Sequence, residues 1–189
     1  MNITPTVNVL LSLGVIVSQV FLVVSLLYLF LFKKEQTPFS AFLGRHGMLL
    51  AFLVALISTS SSLFYSQIAG FTPCELCWFQ RIFMYPEVIL LGLALVKKDF
   101  HITDYALSLT IIGTLISLYH NYVYYYNQGL NAYCQLGGVQ VSCVKRYMLE
   151  FGYITIPMMA LTGFLLILFF LLMYRRAHTL RSFNSMMPR

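Results

Sequence analysis

The sequence predicts an all-α, multi-pass integral membrane protein. Three observations carry that reading. The 189 residues are 59% hydrophobic and only 10% charged, with a mean hydropathy of +0.79. Soluble domains carry about 25% charged residues, so this chain has too few to cover a water-facing surface. Apolar runs fall at 9–32, 47–69, 78–96, 105–126 and 153–174, each close to the roughly 20 helical residues that cross an apolar core of about 30 Å. The basic residues, finally, gather in short clusters between those runs.

Each run is read as a helix, because backbone amides and carbonyls in lipid must bond within their own segment. The run 9–32 is expected to be a retained helix and not a signal peptide. Nothing basic precedes it, it is longer than a signal's apolar stretch, and no small-residue cleavage site follows. The run 47–69 contains Ser58, Thr59, Ser60, Ser61 and Ser62. Small hydroxyl residues permit close helix packing, so this face is expected inside the bundle. In 105–126, Tyr119, Tyr122, Tyr124, Tyr125 and Tyr126 crowd one end and read as an interfacial belt. Apart from Arg81, no run shows a clear ionisable residue at mid-membrane.

Charge sets the orientation. Lys33, Lys34, Arg45, Lys97, Lys98, Arg175, Arg176, Arg181 and Arg189 fall on one side, against Arg81, Lys145 and Arg146 on the other. The richer side is expected in the cytoplasm, with the N-terminus outside and the C-terminus inside. The net charge of +6 therefore reads as topogenic charge; no nucleic-acid partner is expected, and membrane lipid is the surroundings.

All four cysteines fall on the outer side in this frame, where disulfides persist. Cys74 and Cys77 sit in Thr72-Pro73-Cys74-Glu75-Leu76-Cys77-Trp78 at the mouth of the third helix. Pro73 favours a helix start around Cys74. The free amides and positive dipole end there favour a thiolate. Arg81, four residues beyond Cys77, shares its helix face. A charge at that depth either faces a cavity or ligand, such as a quinone carbonyl, or snorkels to the interface. Cys134 and Cys143 bracket a segment with Gly137 and Gly138, so a small covalent loop is feasible. It is either open to thiol exchange or a static structural link. Glu75 is placed to tune the first pair. His120, among the tyrosines, is either a donor to a quinone oxygen or an ordinary interfacial histidine. No metal site is expected: Cys134-x8-Cys143 is a poor second zinc knuckle beside one Cys-x-x-Cys.

The stretch Cys74-Glu75-Leu76-Cys77-Trp78-Phe79-Gln80-Arg81-Ile82-Phe83-Met84-Tyr85-Pro86 resembles the DsbB family of bacterial thiol–quinone oxidoreductases, nearest its Gram-positive BdbC branch. Phe151-Gly152-Tyr153-Ile154-Thr155-Ile156-Pro157 resembles the segment opening that family's last helix. The resemblance covers residues 47–174. It implies a four-helix transmembrane bundle in the bacterial cytoplasmic membrane. Residues 1–46 then supply an additional N-terminal transmembrane helix and cytoplasmic loop, and 175–189 a basic cytoplasmic tail. It implies a quinone, menaquinone or ubiquinone, at the outer end of the bundle. Cys77 would meet the quinone beside Arg81. Cys134 and Cys143 would be the pair that reoxidises a DsbA/BdbD-like thioredoxin-fold oxidase, with Cys134 forming the mixed disulfide.

Two other classes are weighed against this. A reductase sending electrons outward would need a cytoplasmic entry, and no cysteine lies on that face. A scaffold or transport subunit would use its cysteines only as braces and would reduce no quinone.

Overall fold

The structure is a computed structural model that describes residues 4–31, 38–126 and 147–186. Five helices account for nearly all of them: α1 (Thr4–Leu31), α2 (Pro38–Leu63, continued by a π-helical turn Phe64–Ile68), α3 (Glu75–Lys97), α4 (Ile102–Tyr126) and α5 (Ile156–Met186). All five are long and apolar enough to cross a membrane. The protein is therefore an all-α multi-pass membrane protein, as the apolar runs predict.

Helices α2, α3, α4 and α5 form a closed ring in which each packs on two neighbours, and α1 leans on α5 from outside. The spacing of small residues sets the closest approach. Gly44, Gly47, Ala51 and Ala55 recur along one face of α2 and are buried. A β-carbon at Gly47 would stand 2.6 Å from the Phe170 carbonyl oxygen of α5, and one at Gly44 would collide with the Ala177 β-carbon. Across the ring, Gly113 of α4 leaves room for the Phe164 ring, which is itself fully buried. Lipid supplies no hydrophobic drive between helices, so contact of this kind holds them together. The outward faces stay apolar: Leu10, Val17, Ile89 and Leu115 are each more than half exposed.

Helix ends follow local chemistry. Pro38 stands at the first position of α2, so this helix begins well before the apolar run at 47 and takes Arg45 and His46 with it. At the other end of the chain α5 continues through 175–186, beyond its apolar run, where Arg175 pairs with Asp104 at 3.3 Å. Phe151 and Gly152 both take positive φ, 51° and 79°, and make a tight turn closed by paired backbone bonds between Glu150 and Ile154. Thr155 then caps α5 by accepting the Met158 amide, with Pro157 in the first turn, where it has no intrahelical bond to lose. Asn121 of α4 donates to the Pro157 carbonyl, and Tyr125 donates to that of Tyr153.

Three sequence expectations need correcting. Ser60 is exposed, so only part of the hydroxyl run faces inward. Tyr124 is buried instead of joining the interfacial belt, because it lies on the same α4 face as Ser117, His120 and Asn121. Glu87 is a fully buried acid on α3, bonded at 2.7 Å by the Thr110 hydroxyl of α4. It escaped the sequence reading because it sits in an apolar run and its partner comes from another helix.

Replacing Gly47 with Leu is expected to destabilise the bundle by about 1–3 kcal/mol. The readout is the thermal unfolding midpoint in detergent, and an unchanged midpoint would contradict the α2–α5 contact.

Candidate functional site

The site is built where the second helix ends and the third begins. Beyond the π turn the chain bends at Ala69 and Gly70, whose φ is 70°, and runs without regular structure to Cys74, held by a stack of rings. Tyr65 lies parallel to Phe71 with centroids 5.7 Å apart, and Phe71 to Tyr147 at 4.8 Å. The Tyr147 hydroxyl donates to the Thr72 carbonyl. Pro73 follows, and Cys74 takes an extended N-cap conformation whose carbonyl accepts the first turn's bond from Trp78. The helix start expected from Pro73 is thus where the structure has it. Cys77 occupies the third helical position, among amides that lack intrahelical acceptors.

From there a chain of polar groups runs inward. Cys74 and Cys77 are free thiols with their sulfurs 3.0 Å apart. His120 of α4, almost wholly buried, points Nε2 at the Cys74 sulfur from 3.8 Å. Its Nδ1 lies 3.1 Å from the Gln80 amide nitrogen. With that amide as donor, Nδ1 accepts and the ring hydrogen sits on Nε2, facing sulfur. Hydrogen bonding from Cys77, and next from His120, lowers the Cys74 thiol from 9.0 to about 4 against the opposing effect of burial. In the reduced pair the negative charge therefore rests on Cys74.

Arg81 turns toward α2. Its Nε donates to the Ser62 hydroxyl at 3.0 Å and a terminal nitrogen to the Ser62 carbonyl at 3.1 Å. Tyr85 donates to the same hydroxyl, and the guanidinium lies 5.3 Å from the Trp78 ring centroid. The structure thus anchors Arg81 at a cavity wall and buries the His120 ring against the cysteines. Cys134 and Cys143 lie outside the described residues.

Cys74, Cys77, Arg81 and His120 all border one cavity of about 340 Å³, a volume suited to a small organic ring system. Its polar end is this cluster; its far side is apolar, with Val54, Ile57 and Leu166. Tyr65 is a lining residue that sequence reasoning missed. It is buried, and among the described residues its hydroxyl has no partner, so a ligand oxygen would satisfy it. With the Arg81 cation on the same cavity, the donor set suits a ligand that carries polar oxygens. Cys74, Cys77 and His120 also bring three metal-ligand atoms within 4.8 Å of one another. Sulfurs sharing a tetrahedral zinc would stand about 3.8 Å apart, so the 3.0 Å spacing suits a thiol–thiolate hydrogen bond better.

A dithiol at a helix mouth, opening on a membrane cavity, belongs with disulfide chemistry, and comparison with known proteins agrees. The family model described as "Disulfide bond formation protein DsbB" matches residues 44–174. The chain belongs to the DsbB family. Among curated relatives, "Probable disulfide formation protein C 1" of Bacillus cereus is 44% identical over 124 residues, covering 65% of this chain and 86% of that protein. "Disulfide bond formation protein C" of Bacillus subtilis is 42% identical over 126 residues, covering 64% and 86%. "Probable disulfide formation protein" of Metapseudomonas resinovorans is 40% identical over 136 residues, covering 70% and 91%. No solved structure matches the chain. As a DsbB-family member it is a membrane disulfide-forming oxidoreductase. The match begins inside α2, so α1 lies outside it.

The charge on Cys74 has a direct readout. In a reduced variant lacking Cys134 and Cys143, one thiolate absorbance is expected to persist as pH falls below 9.0 and to disappear only near about 4. Cys77→Ala, which removes the principal donor, should move that midpoint up furthest, and His120→Ala by less. A midpoint near the ordinary thiol value in the parent would contradict the geometry.

Proposed function

We propose that the protein reoxidises an extracytoplasmic DsbA-like thioredoxin-fold oxidase and passes the electrons to membrane quinone. The observation that carries this reading is the Cys74–Cys77 pair opening into a mainly apolar cavity that also holds the Arg81 cation and a Tyr65 hydroxyl without a partner among the described residues. A pair that only braced a loop would need neither the cavity nor the buried histidine.

In this reading a thiolate of the reduced partner attacks Cys134, and Cys143 leaves as the thiolate. The partner's second thiol then releases Cys134, and the partner departs oxidised. The Cys134/Cys143 dithiol exchanges with the Cys74–Cys77 disulfide and regenerates its own. Cys74 and Cys77 are now reduced, with the charge on Cys74. A proton moves from Cys77 to Cys74 along their hydrogen bond, and Cys77 becomes the reactive thiolate on the face it shares with Arg81. The pair gives up two electrons and its one remaining proton as its disulfide re-forms. A bound quinone would accept the two electrons and become quinol with that proton and a second one drawn from water. His120 holds Cys74 in place throughout, and Gln80 fixes its tautomer. A DsbA-type partner is poised near about −120 mV, so its reoxidation needs a strong acceptor.

The basic residues at the ends of α3 and α5 support an orientation with the cysteines outside, where thiol oxidation persists. Residues 47–174 form the working unit on this view, with α1 and the basic stretch 175–189 as additions to it.

The test is quinone reduction by the purified protein with a reduced thioredoxin-fold oxidase. Turnover is expected with menaquinone or ubiquinone, and Cys77→Ser should abolish it. Undiminished turnover in that variant would refute the relay. Absence of turnover with both quinones and several partners would leave the cysteines as braces.

A further inference from the structure

Helix α1 is not part of the family match, yet it borders the cavity. Leu10, Leu11, Gly14, Val15 and Ser18 of its outer half line one side. Val54, Ile57 and Ser61 of α2 line the same cavity. Helices α1 and α2 both border it yet pack little on each other. Their ring contact, Tyr28 with Phe39, is at the opposite end of α1.

α1 is fixed where it stands. Gln19 donates to the Thr162 hydroxyl of α5 at 3.0 Å and accepts from the Tyr153 hydroxyl at 2.9 Å. Two residues further along, Phe21 meets Phe169 edge-on at 6.2 Å. Gly14 is the thin point of the wall: a β-carbon built there meets nothing within 4 Å, so the space beside it is open. The exposed neighbours Leu10 and Leu13 carry the apolar surface outward.

We propose that α1 and the outer half of α2 form a side portal of the cavity, and that the isoprenoid tail of the quinone leaves through it past Gly14. This rests on the quinone reading above. With the ring at the polar end, near Cys77, Arg81 and His120, an apolar tail has to reach lipid without crossing water. The α1 and α2 lining is mainly apolar, interrupted by hydroxyls such as Ser18 and Ser61, and the open space beside Gly14 adjoins the exposed Leu10 and Leu13. α1 thereby becomes a specificity element: it selects for a tail and leaves the chemistry at the ring to α3 and α4.

The test compares a long-tailed quinone with a short-tailed one of the same ring. Gly14→Phe is expected to raise the KM for the long-tailed quinone at least about tenfold more than for the short-tailed one, the scale of a blocked apolar subsite. Val17→Phe, on the exposed face of α1, should change neither. Equal effects on both quinones, or none, would overturn the portal. Failure of the unmodified protein to reduce either quinone would instead count against the quinone reading itself. A second measurement needs no variant: a quinone with a photoreactive group on its tail should label residues 10–18 of the unmodified protein. Labelling confined to α3, α4 or α5 would overturn the proposal, whether a lipid chain or a second copy fills the slot.

Discussion

Inside a bilayer a polar side chain has no water to bond, so it must find a partner in the protein or hold a ligand. The line from Gln80 through His120 to Cys74 and Cys77 meets that demand at one end of the bundle, and much of the fold is arranged around it. Gln80 is buried because α3 turns the face of Gln80, Met84, Glu87, Leu91 and Ala94 inward. His120 is buried because α4 does the same with Gly113, Ser117, Asn121 and Tyr124. The cysteines reach the histidine because the ring stack of Tyr65, Phe71 and Tyr147 holds the preceding segment in place. A shift of any of these three would take a hydrogen bond from a buried polar group, and a buried donor or acceptor left unsatisfied costs about 1–3 kcal/mol.

The same constraint explains why Arg81 is tied down. A guanidinium at that depth is expensive unless it is bonded, and Ser62 supplies both a hydroxyl and a carbonyl just before the π turn of α2. Such a turn widens the helix and often marks a functional site. The cavity therefore has a fixed polar cluster in a lining that is otherwise mainly apolar. Glu87 obeys the rule deeper in the bundle, where Thr110 bonds one carboxyl oxygen and the other is without a partner among the described residues.

Much of this was legible in the sequence, for physical reasons. Five helices follow from five membrane-length apolar runs, and Pro73 before Cys74 marks the start of α3 at the residue where it occurs. The Cys-x-x-Cys-x-x-Gln-Arg pattern places two thiols, an amide and a cation on successive turns of one helix. What sequence could not supply was the cross-helix contact. Nothing local distinguishes His120 from its interfacial tyrosines; its burial appears only when Gly113, Ser117 and Tyr124 are seen to share its face. Nothing in the sequence marks Tyr65 as a buried residue of the cavity wall. Helix boundaries at Pro38 and beyond Tyr174 were missed because hydropathy reports the apolar core, whereas helical bonding continues into the interface. The pair Cys134 and Cys143 is legible only as sequence.

The central claim is that the Cys74–Cys77 dithiol is the immediate electron donor to quinone. It is tested most directly in a single turnover without the outer pair. A variant with Cys134 and Cys143 replaced by serine would be reduced, freed of reductant and mixed with quinone in lipid vesicles. The account expects one quinol per protein, with a disulfide mapped between Cys74 and Cys77. No quinol, or quinol formed while both thiols stay free, would contradict it.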